Sequence, residues 1–178
     1  VSAYYYLGLS HYYKGNLEQA ITDLQSALNL NASFDAARIL SSAILLKANR
    51  VDDAINEIRK VLDKDEKNAL AHNILGSAYI AKGMYDRAIV ELNRSIEIDP
   101  KLVDTHLKKG LFQIGTGRAK EAEAELKAVV EIQPEVIQSR ALLVSYYAGR
   151  GEYDKARGII QQGLKGQKND AFFYVLLA

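Results

Sequence analysis

From Val1 to Lys14, apolar and small residues return at helical spacing, with Tyr4, Leu7, Gly8 and His11 on one face, until Gly15 and Asn16 interrupt the pattern. A second periodic stretch, Leu17 to Leu30, carries Ala20, Leu24, Ala27 and Leu28 on its apolar side, with Glu18, Asp23, Gln25 and Asn29 between them. Two amphipathic helices joined by a tight turn make a hairpin. Each hairpin leaves an apolar face uncovered, and the next one covers it. The alternation of helix, break and helix continues down the chain, which predicts an all-α fold.

Residues 34 apart share their chemistry. One column reads Ala20, Ala54, Ala88, Ala122, Ala156, and another reads Leu24, Ile58, Leu92, Leu126, Ile160. A third reads Gly15, Asn49, Gly83, Gly117, Gly151, and asparagine is the residue other than glycine that most readily takes a left-handed backbone at a helix end. Gly8, Ser42, Gly76, Gly110, Val144 and Ala178 form a fourth column, and where it is glycine two backbones can approach closely. Five copies therefore run in phase over 1–34, 35–68, 69–102, 103–136 and 137–170, and 171–178 restarts the first helix of a sixth. Within the fourth copy, Lys109 and Gln113 replace apolar residues. Lys109 either packs its stem and lifts its amine to water or, with Lys108, faces an acidic partner. In the fifth copy, Gly158, Gly163 and Gly166 predict a second helix that is short or frayed near Gly163.

His72, Leu75, Gly76, Tyr79, Ala88, Leu92 and Pro100 stand at the spacing of the tetratricopeptide repeat signature, and the chain resembles a tetratricopeptide repeat array over its whole length. The resemblance implies a right-handed superhelical solenoid of antiparallel helix hairpins, forming one array over 1–178. The family's ligands commonly lie on a concave face lined by the first helices. That face falls on Tyr5, Leu9, Tyr12, Ile39, Leu46, Asn73, Ser77, Ile80, Leu107, Leu111 and Ile114, which are mainly apolar with a polar island at Asn73 and Ser77 to orient a ligand. Members that hold acidic carboxyl-terminal peptides of chaperones use Lys, Asn and Arg in these columns, whereas this chain has Tyr5, Leu9, Ile39, Ala43 and Leu107 there. An amphipathic helix or extended apolar segment fits better. The alternative is that these side chains pack against neighbouring first helices.

The EIDP and EIQP hairpin ends and the GEYDKAR stretch are similar to bacterial arrays, including the repeat lipoproteins that accompany exopolysaccharide export and protein sorting. This narrower resemblance implies an exported location, and the compartment, cytoplasmic or periplasmic, stays open. The first residue is Val1, and the sequence ends on the apolar Phe172, Phe173, Val175, Leu176 and Leu177. Natural arrays close with a polar outer face, so the parent protein is expected to continue, and the apolar end offers a dock for another copy.

Charge and chemistry narrow the function. Twenty-three basic and 22 acidic residues nearly cancel, which argues against nucleic acid or an anionic membrane surface as the partner. There is no cysteine, and no apolar run approaches the roughly 20 residues that cross a bilayer. His72 and His106 share a column and stacked helices place them about 10 Å apart, too far for joint ligation. His11 is expected to be packed. Gly110, Gly115 and Gly117 are spaced by the hairpin rather than by a phosphate loop, and Asp52 and Asp53 lie on an exposed helix. These features predict no enzyme, metal or cofactor. The expected function is a non-catalytic scaffold or adaptor for a protein or peptide in a bacterial export or assembly complex. The alternatives are a self-assembling module and the regulatory arm of a larger enzyme.

Overall fold

The computed structural model describes residues 1–163, and they form ten α-helices with no strand among the described residues. In order these are α1 (Ser2–Tyr13), α2 (Leu17–Leu30), α3 (Asp35–Lys47), α4 (Val51–Leu62), α5 (Ala69–Ala81), α6 (Tyr85–Ile98), α7 (Val103–Gly115), α8 (Ala119–Ile132), α9 (Ile137–Gly149) and α10 (Tyr153–Gly163). Consecutive helices pair as α1 with α2, α3 with α4, α5 with α6, α7 with α8 and α9 with α10, giving five antiparallel hairpins. The chain divides into two compact units, Val1–Leu102 and a second beginning at Val103, so the break coincides with a repeat boundary. The restarted helix at 171–178 and Gly166 lie outside the described residues.

The turn inside each hairpin has one construction. Gly15, Asn49, Gly83, Gly117 and Gly151 all take positive φ, with Asn49 at 60°. Each helix end then closes with a pair of backbone bonds, as where Asn16 N–H donates to His11 O at 2.9 Å and Gly15 N–H to Tyr12 O at 3.0 Å. An added Cβ at these turn glycines meets nothing within 4 Å, so the sign of φ, not crowding, selects the residue.

Crowding selects the other small column. A Cβ on Gly8 would sit 2.9 Å from Leu24 Cγ and 3.1 Å from Ala20 O, and one on Gly76 would sit 2.9 Å from Leu92 Cγ and 3.3 Å from Ala88 O. Ala20, Ala54, Ala88 and Ala122 are fully buried opposite this column. In the second copy Ser42 fits because its hydroxyl donates to the Arg38 carbonyl of its own helix at 2.8 Å.

Within unit 1, one core joins α2 to α3 through Ala20, Leu24, Ala27, Leu28, Ala37 and Ile44, and another joins α4, α5 and α6. Within unit 2, Leu126, Leu143, Val144, Tyr147, Ala156 and Ile160 close α8, α9 and α10. The expectation that Tyr4 and Leu7 pack is corrected: they are 43% and 44% exposed. Leu75 and Leu143, in the Leu7 column, are buried because the preceding second helix, α4 or α8, lies against their helix.

Candidate protein-docking face

The outward stripe of the first helices divides by unit. In unit 1, Tyr5 and Tyr12 are half-buried against the first core, with Tyr5 5.3 Å from the Phe34 ring and the Lys47 ammonium 4.9 Å from the centre of the Tyr12 ring. Ile39, Leu46 and Ile80 are half-buried against the second core, and Leu9 is partly exposed. Here the stripe carries packing as well as surface.

The polar island differs from expectation. Asn73 is only 2% exposed, because α3 lies directly against α5 and encloses this position. Ser77 donates its hydroxyl to the Asn73 carbonyl at 2.9 Å, a bond within its own helix. The enclosure of Asn73 leaves only the partly exposed Ser77 of this pair at the surface.

In unit 2, α7 presents Leu111 and Ile114 at 54% and 41% exposure, with Leu107 partly covered beside them. Its inward side is polar instead. Lys109 neither snorkels to water nor waits for an acidic partner: its ammonium lies 2.6 Å from Glu125 Oε1 on α8 at 16% exposure. Gln113 is buried and donates to Glu121 at 3.2 Å.

The histidines belong to a repeated staple that sequence reasoning missed. His72 bonds to Glu91 at 2.7 Å and His106 to Glu125 at 2.6 Å, and Arg38 pairs with Glu57; each acid lies 19 residues further on, in the second helix of the same hairpin. In the first copy, with Tyr4 in that column, His11 reaches Asp23 at 2.6 Å. The signal was the acidic column Asp23, Glu57, Glu91, Glu125. The same first-helix side chains also tie down the turn before their helix. Arg38 donates to the Ala32 carbonyl at 2.8 Å and Arg140 to that of Pro134 at 3.3 Å, and His72 Nε2 is bonded to the Glu66 carbonyl at 3.0 Å. Both nitrogens of His72 are thus engaged, and no group of three metal-capable side chains exists among the described residues.

A tighter cluster surrounds Tyr147, whose hydroxyl donates to Glu123 Oε1 at 2.9 Å while Lys127 donates to the same oxygen at 2.7 Å. The Lys127 hydrogen bond holds the Glu123 carboxyl below its ordinary range against the opposing effect of burial, with Tyr147 and Lys155 adding to the same direction. Burial, then Glu123, pushes the Tyr147 phenol up.

Hairpins of this length, with a small column at the close contact and a left-handed turn residue, are those of tetratricopeptide repeats. Models of that repeat match residues 1–34, 42–102 and 79–143, and the chain is an all-α tetratricopeptide repeat solenoid. It is similar to TTC0263, a thermophilic TPR protein in Thermus thermophilus, at 22% identity over 99% of this chain and 98% of that one, with a TM-score of 0.76. Pseudomonas aeruginosa pilF is 22% identical over 98% and 80%, with a TM-score of 0.76, and MamA is 24% identical over 92% and 96%, with a TM-score of 0.70. Likeness at this identity speaks to the fold alone. No curated protein matches the chain. Among the described residues no helix is long and apolar enough to cross a membrane.

Proposed function

We propose that the chain is a non-catalytic scaffold that holds a protein or peptide partner on the apolar stripe of its first helices, with Leu107, Leu111 and Ile114 of α7 as the main anchors. The observation that carries this reading is the arrangement of α7. It spends its inward positions on Lys109 and Gln113, each matched by a carboxylate, and leaves Leu111 and Ile114 in water. A helix that formed only to build a core would be turned the other way. An amphipathic helix or extended apolar segment is the matching partner, because it buries its own apolar face in the same step. Within unit 1, Tyr5, Leu9, Tyr12, Ile39, Leu46 and Ile80 form the corresponding stripe, where packing takes part of their surface.

Membership of a bacterial export or assembly complex is the finer form of the proposal, supported by the EIDP, EIQP and GEYDKAR stretches. Self-assembly is the second reading, in which a second copy rather than another protein covers the exposed Leu111 and Ile114.

The test is Leu111→Arg combined with photo-crosslinking from position 114. The docking reading expects crosslinks in native extract that vanish in the Leu111→Arg chain while the melting temperature holds. A melting temperature several degrees lower would make Leu111 a packing residue and end the proposal. Crosslinks only between copies of the chain would move the assignment to self-assembly.

A further inference from the structure

Tyr147 shows what a complete cluster looks like on the second-helix side of a hairpin. Its hydroxyl and Lys127 both bond to one oxygen of Glu123, and Lys155 lies 3.8 Å from the other oxygen, with its ammonium 5.3 Å from the Tyr147 ring centre. Two cations and a phenol therefore enclose one carboxylate.

Two copies earlier the same positions hold Tyr79, Arg59 and Arg87, but Ile55 stands where the carboxylate would be. Arg59 of α4 donates to the Tyr79 hydroxyl at 2.8 Å, and the guanidinium carbon of Arg87 on α6 lies 5.9 Å from the Tyr79 ring centre. Among the described residues neither guanidinium pairs with a carboxylate. Ile55 is buried with Tyr79 in the core beneath and brings no charge. Above it a cleft of about 540 Å³ opens, lined by Arg59, Tyr79, Asp86, Arg87, Val90 and Glu91. Glu91 is already bonded to His72, and Val90 is 64% exposed at the rim.

We propose that this cleft binds a carboxylate side chain from an acidic segment of a partner protein, clamped between Arg59 and Arg87 in the place that Glu123 occupies beside Tyr147. Guanidinium forks match the two oxygens of a carboxylate, so two of them around a phenol make a directional set of donors rather than a diffuse positive patch. Asp86 and Glu91 set the upper limit of charge: a single carboxylate is tolerated, whereas a doubly charged phosphate meets repulsion from both. Val90 supplies an apolar contact for the residue next to the acid. The site lies on α4, α5 and α6 within unit 1 and shares no residue with the α7 stripe.

The probe is a short peptide alternating valine and glutamate, titrated into the full chain while the arginine side-chain Nε resonances are followed by NMR. The Arg59 and Arg87 signals should move with the glutamate peptide, and the glutamine counterpart should bind at least about tenfold more weakly. Arg59→Gln combined with Arg87→Gln should abolish binding, whereas Arg94→Gln, which removes a surface partner of Glu97, should not. Ile55→Glu installs the internal carboxylate that Glu123 represents and should weaken the peptide at least about tenfold. If Ile55→Glu does not fold, the arginine pair alone decides. Equal binding of both peptides, inorganic phosphate binding as tightly as the glutamate peptide, or a folded Ile55→Glu chain with undiminished affinity would each overturn the assignment.

Discussion

Leu75 and Tyr79 of α5 are buried against α4 and α6, while Asn73, Ser77 and Ile80 occupy the stripe positions of that helix. At the matching places α7 carries Lys109 and Gln113 inside and Leu107, Leu111 and Ile114 on the stripe. One hairpin is apolar within and mixed outside; the other is polar within and apolar outside. Both form, because α8 supplies Glu125 and Glu121 where the inverted helix needs them. The difference teaches that helical period and small-residue columns suffice for the fold, and that the sense of the amphipathic pattern remains free to serve a surface.

The largest effect expected from breaking this contrast is at Glu125, which serves both His106 and Lys109, whereas Glu91 serves His72. Glu125→Gln should cost about 3 kcal/mol by leaving a buried ammonium uncompensated. Glu91→Gln should cost about 1 to 2 kcal/mol. Urea unfolding followed by circular dichroism separates the two, and equal losses would remove the distinction between the hairpins.

Gly76→Ala should come next, at about 1 to 2 kcal/mol, since its new methyl carbon would stand 2.9 Å from both Leu92 Cγ and Cδ2. Gly110→Ala meets its nearest atom, Glu125 Cβ, at 3.3 Å, and the gain in helix propensity offsets most of that crowding, so its melting temperature should stay close to the parent's.

Acid should then distinguish Glu123 of unit 2 from Ile55, the residue at that position in the second copy. Because the folded Glu123 carboxyl titrates below its ordinary value of 4.5, its contribution is present above that pH and disappears as pH falls through the depressed value. Glu123→Gln should flatten the loss of stability below about pH 4.5, read from unfolding free energies across that range. The smallest change belongs to Leu111→Arg, within about 0.5 kcal/mol of the parent, since the side chain is mostly in water.

The fold was legible from residues whose role is local or shared by every copy. Asn49 announced a left-handed turn, and the alanine column announced close backbones. Side chains whose surroundings depend on the neighbouring hairpin were not legible. Asn73 and Tyr5 occupy one column, yet Asn73 is enclosed where α3 lies against α5, whereas Tyr5 is only half-buried beside Phe34. Lys109 looked like a surface residue because its acceptor, Glu125, is on another helix. Recognising it required pairing two columns, not reading one. The apolar stripe was visible in outline, but which parts are spent on packing, as at Ile39 and Leu46, follows only from how first helices abut.

The basic or imidazole side chain and its acid always fall within one span of 34 residues, in the same hairpin. A gene duplication or deletion of a whole unit therefore copies or removes both halves together and strands no charge in the interior. In the fifth copy Ile159 stands where the other copies have the acid, and Arg140 donates to the Pro134 carbonyl instead. Such a chain can lengthen or shorten while every hairpin that carries both halves keeps its inner charges paired.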